Sequence, residues 1–468
     1  MKIARFIVLF GIPMLLGTAG FMAAGEGLLQ AMFMTVQLFL IENGDLPPNL
    51  AIEITRWVAP LATAGGVFLA VEQLRTWVHR AWVSRKSEST AVYGPEADKR
   101  KVLKQLGNYG IDGGESFVRA RRYILLGEEN ANLQFYQMHR DALEDATVYL
   151  KCNSIPAQSI AGANIRLYCP EEIAVRLYRK NNCLYEASRE AGHRIDVVFV
   201  GFGKLGEELL ISSLQTNIFS PDQMITYHIF GEDNGFLATH PGLQYLGDQV
   251  RFYNEPWYAY PALLDGAARV IVLEQNEQLS LVRKLLLLLK RDKIDIFASE
   301  PLAMNLLAEQ KRLCVFDWKS EAGKLENILG ETLYDRAKRI NMRYVLGFGG
   351  GEAVQDDEAA RQKEWEKLTP FHRYSNIRAA DYHEVQEQIL EAEGIELDFD
   401  KIPDAWKERL SVLEHISWCS YYYLNNWECG EVKSEKLRTH PDLIQFRALN
   451  EEEKRKDWSN IEGLFRMK

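Results

Sequence analysis

The chain opens with apolar runs. Residues 6–25 contain no charged side chain, and residues 57–71 form a second uncharged run. Because an α-helix needs about 20 apolar residues to cross roughly 30 Å of hydrocarbon, both runs predict transmembrane helices. Residues 28–41 between them are apolar but too short to cross, which is typical of a re-entrant or interfacial helix. We therefore expect residues 1–86 to form a transmembrane hairpin.

Charges around these runs predict an orientation. Basic residues flank the pair of runs, whereas acidic residues occupy the loop between them. The basic residues are Lys2, Arg5, Arg75, Arg80, Arg85 and Lys86, and the acidic residues are Glu26, Glu42, Asp45 and Glu53. The positive-inside rule then places both termini in the cytoplasm and the hairpin in the lipid bilayer of the inner (plasma) membrane. A cleaved signal peptide would explain the first run but not the second.

The polar turn that follows residues 28–41 allows two interpretations. In a two-helix channel subunit, oligomerisation encloses a pore and a polar turn lines it. Glu42, Asn43 and Asp45 are the pore residues in that interpretation. The sequence contains no TVGYG filter, and a plain membrane anchor with an amphipathic outer element explains the same pattern.

From residue 87 onward, short β-type runs alternate with helical ones, a pattern that predicts parallel sheets covered by helices. The predicted strands lie near residues 90–94, 123–127, 147–152 and 165–169, then 196–200, 225–230, 250–253, 269–273, 294–298 and 313–316. The predicted fold class is α/β: behind the transmembrane helical hairpin come two Rossmann-like doubly wound parallel sheets and a mainly helical C-terminal domain. The predicted boundaries are 87–192, 193–330 and 331–468. The first Rossmann-like half is degenerate, because its turn at residues 94–97 lacks two glycines of the dinucleotide fingerprint.

The second series carries a complete G-x-G-x-x-G motif between a buried strand and a helix. The first glycine permits a tight turn, the second lets the backbone approach a pyrophosphate, and the third allows the helix to pack on the strand. An acidic pair after the next strand can accept hydrogen bonds from a ribose diol. The predicted cofactor-binding residues are Gly201, Gly203, Lys204, Gly206, Glu232 and Asp233. NAD or another adenine nucleotide is the expected ligand, although the glycines could serve packing alone.

Two Rossmann-like halves behind a hairpin resemble the tandem RCK (Trk-type nucleotide-binding) regulatory domains of potassium channels and transporters. The likeness covers roughly residues 90–330 and is specific at residues 197–209. It implies a homo-oligomeric ring that binds nucleotides or ions to gate a pore. The degenerate first half departs from a symmetric ring with two sites.

The C-terminal part is helical and rich in tryptophan. Four segments follow in order: LEHISW at 413–418, NWECG at 426–430, THPDL at 439–443 and LNEEEKRKD at 449–457. These segments resemble the ryanodine-receptor (RyR) repeat, which occurs in calcium-release channels and in bacterial proteins. The resemblance implies a small ligand-recognition or interaction module.

Aromatic and cationic side chains in this region suggest a ligand site. Flat apolar faces beside cationic donors suit a base and a phosphate. The candidate ligand-binding residues are His415, Trp418, Trp427, Arg438 and His440. A helical core held together by tryptophans is the alternative, because tryptophan is highly buried on average.

Composition removes other classes of function. A net charge of −10 without a basic run argues against a nucleic-acid partner. The six cysteines have no zinc-ligand spacing, so we expect neither a metal scaffold nor disulfides. For hydride transfer only His240 and Tyr258 can be nominated, and neither lies in a catalytic pattern.

Three functional hypotheses follow. The first is a nucleotide-regulated cation channel gated by ligands of the Rossmann and RyR domains. The second is a non-conducting, membrane-tethered sensor or adaptor, which analogy places in stress or defence signalling. The third is an NAD(P)-dependent oxidoreductase.

Overall fold

The computed structural model describes residues 10–40, 46–114, 116–159, 164–290, 293–307, 311–330, 332–348 and 356–466. The chain divides into two compact units, Met1–Ser89 and Thr90–Lys468.

The first unit is helical over its described residues. Its helices are α1 (Ile12–Ala23), α2 (Leu28–Phe39) and α3 (Leu50–Val83). They pack around a small core that contains Phe21, Leu38 and Ile52. Gly20 lets α1 approach α3, since a Cβ at that position would lie 2.9 Å from the Ile52 side chain. Many large apolar side chains of this unit remain exposed, including Leu29, Trp57 and Trp77.

The predicted transmembrane hairpin is wrong, and with it the predicted location in the plasma membrane. In the described part of the chain no helix is both long enough and apolar enough to cross a membrane. Helices α1 and α2 have 12 residues each, or about 18 Å at the rise of an α-helix. Helix α3 is longer, but it carries charged residues at Glu53, Arg56, Arg75 and Arg80. The predicted pore residues Glu42, Asn43 and Asp45 lie outside the described residues.

The second unit begins with a five-stranded parallel sheet. Its elements are β1 (Thr90–Tyr93), α4 (Glu96–Leu106), β2 (Gly110–Asp112), β3 (Arg122–Leu125), α5 (Glu129–Met138), α6 (Arg140–Leu143), β4 (Thr147–Lys151), β5 (Ile165–Tyr168), α7 (Pro170–Lys180) and α8 (Tyr185–Glu190). The strand order is β2-β1-β3-β4-β5, and every pairing is parallel. This is the doubly wound order of flavodoxin-like folds.

A six-stranded parallel sheet follows. Its elements are β6 (Arg194–Val200), α9 (Gly203–Thr216), β7 (Met224–Phe230), α10 (Phe236–Thr239), β8 (Gln249–Phe252), α11 (Pro261–Gly266), β9 (Arg269–Val272), α12 (Gln278–Leu288), β10 (Ile294–Phe297), α13 (Pro301–Leu307), β11 (Leu313–Phe316), α14 (Trp318–Ala322) and α15 (Leu325–Leu329). The strand order is β11-β10-β9-β6-β7-β8. Counted from β6, it reads 6-5-4-1-2-3, the order of dinucleotide-binding Rossmann folds. The predicted α/β class and parallel sheets are therefore confirmed, and the glycine turn follows β6 at the point where the strand order reverses.

Helices make up most of the remaining chain. They are α16 (Asp335–Phe348), α17 (Glu358–Lys367), α18 (Pro370–Ala392), α19 (Asp404–Leu424) and α20 (Glu451–Arg466), with the short strands β12 (Glu428–Cys429) and β13 (Thr439–His440) between the last two helices. Local sequence explains the start of α18, because the Thr369 hydroxyl accepts a hydrogen bond from the amide of His372 and Pro370 occupies the first turn.

The C-terminal helices pack on the helices and connections of the α/β domains. Tyr382 of α18 donates a hydrogen bond to the carbonyl of Ile218 at 2.8 Å, and Arg409 of α19 donates one to the carbonyl of Phe219 at 3.0 Å, both in the connection that follows α9. Arg176 of α7 forms a largely buried ion pair with Asp381 of α18, with 2.8 Å between Nη2 and Oδ1. Since buried charges must be paired, these contacts hold α18 against both α/β domains.

Gly242 marks the closest approach between the β7–β8 connection and α19. A Cβ at Gly242 would lie 2.0 Å from the carbonyl oxygen of Tyr423, whereas a Cβ at Gly266 would meet no atom within 4 Å. We predict that Gly242→Ala lowers the free energy of unfolding by about 1–3 kcal/mol, the usual cost of overpacking. Gly266→Ala is the control and should unfold like the wild type. Equal denaturant midpoints for the two variants would contradict this packing.

Candidate functional site

A cavity of about 760 Å³ lies among α16, α18, α19 and α20. We call it the C-terminal cavity. Its polar, charged and aromatic lining residues include Asn341, Arg343, Arg378, Glu414, His415, Trp418, Tyr422, Lys433, His440, Asp442, Glu453, Lys456 and Asp457.

Aromatic rings form one wall of the C-terminal cavity. Trp418 is half-buried and lies 4.3 Å from Tyr422 and 5.1 Å from His440, measured between ring centroids. His415 stacks on Trp418 with centroids 5.6 Å apart and ring planes 25° from parallel. Such a wall offers an apolar surface on which a flat ligand can stack.

His415 is a buried cation. Its Nε2 lies 2.8 Å from the carbonyl oxygen of Ile444, which can only accept, and its Nδ1 lies 3.3 Å from a carboxylate oxygen of Asp457. Both ring nitrogens therefore carry protons. Burial alone would lower the pKa of His415, but its hydrogen bonds with Asp457 and Cys419 outweigh burial and raise the pKa to about 10.

His440 is neutral. Its Nδ1 accepts a hydrogen bond from the backbone amide of Asp442 at 3.2 Å, so the proton resides on Nε2. Burial, assisted by the positive charge of Lys433, lowers the pKa of His440 to about 4. The Asp442 carboxylate is 3.7 Å from the same Nδ1, too far for a hydrogen bond, so we assign a neutral imidazole rather than an ion pair.

The remaining charges leave the cavity with positive character. Lys456 pairs with Glu453 at 2.6 Å, Arg378 with Glu414 at 2.8 Å, and His415 with Asp457. This leaves Arg343 and Lys433 as cations and Asp442 as the acid. Burial and the nearby Glu453 raise the pKa of Asp442. An anionic group is therefore favoured over a cation.

Besides Nε of Arg378, two buried polar atoms of residues that line this cavity have no hydrogen-bond partner among the described residues. They are Nδ2 of Asn341, a donor, and Oε2 of Glu414. Asn341 is 5% exposed and Glu414 is 3% exposed. Burial raises the pKa of Glu414, although Arg378 opposes the shift. Because an unpaired buried polar group costs about 1–3 kcal/mol, a ligand that satisfies both atoms would gain affinity.

A chain of hydrogen bonds connects this cavity with the Rossmann helix α9. Arg378 donates to Glu414 and, through Nη1, to the hydroxyl of Ser417 at 2.9 Å. The Ser417 hydroxyl in turn donates to the carbonyl of Gln215 at 2.6 Å. Glu414 is thereby linked by hydrogen bonds to the helix that begins at the glycine turn.

The structure separates the candidate residues of the C-terminal domain. His415, Trp418 and His440 line the C-terminal cavity, whereas Trp427 and Arg438 line a second cavity of about 740 Å³, which we call the junction cavity. Sequence reasoning did not find Asn341, Arg343, Arg378 and Glu414. Glu414 could have been found from the sequence, because it lies four residues before Trp418 and residues four apart share a helix face.

The glycine turn has the backbone geometry that its motif predicts. Gly201 has φ +92°, and a Cβ there would lie 2.4 Å from the backbone nitrogen of Glu274, so only glycine fits. A Cβ at Gly206 would lie 2.8 Å from the ring of Phe202. Gly203 has φ +56° and open space above it, as close approach by a phosphate requires.

The other predicted cofactor residues lie around this turn. The Lys204 ammonium forms a 2.7 Å ion pair with Glu208. Glu232 is exposed after β7, and a carboxylate oxygen of Asp233 accepts a hydrogen bond from the amide of Gly235 at 3.3 Å. The three glycines line neither of the two large cavities.

The two residues nominated for hydride transfer have other surroundings. Nδ1 of His240 donates a hydrogen bond to the carbonyl oxygen of Phe236 at 2.9 Å, and the His240 ring stacks on the Phe236 ring. Tyr258 is 61% exposed.

Together, these features describe an α/β protein with a flavodoxin-like and a Rossmann-type sheet, joined to a helical module that encloses an aromatic, cationic cavity. Residues 393–467 match the model of the RyR domain family. The predicted RyR resemblance is therefore confirmed for this segment, which contains α19, α20 and most of the candidate ligand residues.

Comparisons with curated proteins and with solved structures establish no further relationship. No curated protein matches the chain. A solved D-isomer specific 2-hydroxyacid dehydrogenase from Lactobacillus delbrueckii ssp. bulgaricus, in its NAD-complexed form, is similar at 12% identity over 65% of this chain and 97% of that chain. Its TM-score is 0.22, which does not establish a shared fold. The likeness to RCK domains stays a prediction.

The protonation of His415 gives a stability prediction. Its pKa rises on folding from an ordinary value of 6.5 to about 10, so its contribution is complete below pH 6.5 and is lost as the pH rises through 10. Between pH 7 and 10 we predict that the wild type loses up to about 1.4 kcal/mol per pH unit relative to His415→Gln. Urea denaturation at several pH values measures this difference. Parallel stability curves would contradict a protonated His415.

Proposed function

We propose that the protein is a ligand sensor whose C-terminal cavity binds a flat heterocycle carrying an anionic group, such as a nucleotide. The observation that carries this proposal is that Trp418, Asn341 and Glu414 line the same cavity. Trp418 supplies an aromatic face, Asn341 an unpaired donor and Glu414 an unpaired carboxylate oxygen.

The chemistry of the wall supports a base as the flat group. Trp418 and Tyr422 supply the stacking surface. Asn341 can donate to a ring nitrogen, and Glu414 can accept from an exocyclic amine. Arg343 and Lys433 supply positive charge for a phosphate.

Binding can be reported through a physical connection rather than through catalysis. An occupant that hydrogen bonds with Oε2 of Glu414 shares that carboxylate with Arg378, which holds Oε1 and is linked through Ser417 to α9. A ligand shifts a conformational equilibrium only where its affinity differs between states, and this buried network is a place where it can differ.

The channel hypothesis required a pore in the N-terminal hairpin. Because the described residues contain no helix that could form such a transmembrane hairpin, we propose a non-conducting sensor or adaptor. Homo-oligomerisation stays a prediction.

Substitution of Trp418 tests the proposed site. We predict that Trp418→Ala weakens binding of AMP or NAD by about 1–3 kcal/mol, which is the usual contribution of stacking one base on an aromatic side chain. Trp418→Phe keeps a ring and should keep most of the affinity. Isothermal titration calorimetry of the full chain measures both. Equal dissociation constants for the wild type and Trp418→Ala would remove the cavity as the nucleotide site.

The glycine turn is a second place for a nucleotide. The amides at the start of α9 point out of a helix N-terminus, and the open space above Gly203 admits a pyrophosphate. Glu232 is available for a ribose diol. When bound there, NAD would supply either a regulatory signal or a hydride, and no catalytic group has been identified beside it.

A matched pair of glycines separates blocking from strain. Gly203 and Gly192 have similar positive φ values, +56° and +63°, and both face open space. We predict that Gly203→Val abolishes binding of NAD to the turn, whereas Gly192→Val, with the same backbone strain, retains it. Calorimetry in the Trp418→Ala background isolates this site. Retained NAD binding in Gly203→Val would show that the glycines serve packing alone.

A further inference from the structure

The junction cavity lies between the Rossmann domains and the C-terminal helices. Helices α7 and α9 form one side, and α18, the end of α19 and residues 425–438 form the other. Its volume of about 740 Å³ is in the range of small-molecule sites. Of the residues predicted to bind a nucleotide at the glycine turn, Lys204 also lines this cavity, and its ammonium is paired with Glu208.

Apolar and aromatic side chains form much of the junction cavity. Trp427 is buried and stacks on Phe371, with ring centroids 5.1 Å apart and planes 22° from parallel. Tyr421, Leu424 and Ile211 of α9 extend this surface. The cavity therefore accommodates an apolar or aromatic body.

The unpaired buried polar atoms of this wall are donors. They are Nη1 of Arg176 and Nε of Arg378, which have no hydrogen-bond partner among the described residues. The Arg176 side chain is 10% exposed and that of Arg378 is 4% exposed. The other nitrogens of each guanidinium are hydrogen bonded. Arg176 donates to Asp381, and Arg378 donates to Glu414 and Ser417. Each therefore keeps one donor for a further acceptor.

Three acids of the junction cavity do not accept hydrogen bonds from these unpaired arginine atoms, because each acid already has other partners. Glu172 accepts hydrogen bonds from Tyr374 at 3.0 Å and Tyr334 at 3.3 Å. Asp381 is held by Arg176, and Glu208 is held by Lys204. At the cavity mouth, Arg438 adds an exposed guanidinium that donates to the carbonyl of Asn425 at 3.3 Å. Glu207 and the exposed Glu435 also line the cavity, but among the buried polar atoms of its described lining residues only donors are unpaired.

We infer that the junction cavity is a second ligand site, which takes an organic anion: a phosphate or carboxylate attached to an aromatic or apolar body. The anionic oxygens occupy the positions that face Arg176 and Arg378, and the body lies against Trp427 and Ile211. Arg378 lies in the walls of both cavities, so this site is adjacent to the one proposed for the sensor and does not depend on it.

The test uses 1-naphthyl phosphate as the probe, with uncharged 1-naphthol and inorganic phosphate as comparisons. Calorimetry of the full chain is expected to show one probe molecule in each cavity. Ile211→Trp fills the junction cavity and should remove that site alone, whereas Trp418→Ala should weaken the other site. Arg438→Gln, at an exposed position, should weaken the junction site by about threefold. Arg447→Gln is its matched control, since Arg447 is exposed and lines neither cavity.

The outcomes separate the two proposals. Three results together support the junction site. Ile211→Trp loses one probe site, Arg438→Gln binds the probe more weakly, and Arg447→Gln binds it like the wild type. Binding that only Trp418→Ala affects would overturn the junction site and leave the sensor proposal intact. Absence of probe binding to the wild type, or equal affinity for 1-naphthol, would also overturn it, because an anion would then not be the ligand.

Discussion

The pairing of one buried cation, Arg378, is the constraint on which the C-terminal half depends. A charge in the interior is tolerated only with close partners, and Arg378 finds them in Glu414 and Ser417 of α19. Ser417 carries the contact on to the backbone of α9. The same side chain thus fixes α18 against α19, joins the RyR segment to the Rossmann sheet, and separates two cavities of similar size.

Much of the α/β architecture was predictable because its signals are local. Strands buried on both faces read as continuous apolar runs, and the turn at Gly201 to Gly206 is a short motif with a direct backbone requirement. His415, Trp418 and His440 were likewise close enough in sequence to be grouped. The 6-5-4-1-2-3 strand order was not readable directly, because pairing between distant strands leaves no periodic trace.

The N-terminal prediction failed because, among the described residues, the apolar runs do not form a helix that is both long and apolar enough to cross a membrane. Phe21, Leu38 and Ile52 pack on one another in a small helical unit. The candidate ligand site was incomplete for a different reason: Asn341, Arg343 and Arg378 come from α16 and α18, far from the recognisable motif. Trp427 and Arg438 line the junction cavity rather than the C-terminal cavity, and the chain takes left-handed backbone conformations at Asn426 and Arg438.

Whether the C-terminal cavity binds a ligand can be seen in a crystal structure of the full chain with a saturating nucleotide. We expect density for the base against Trp418, with Asn341 Nδ2 and Glu414 Oε2 at hydrogen-bond distance. A nucleotide bound elsewhere, with ordered water joining Asn341 and Glu414 in the cavity, would contradict it.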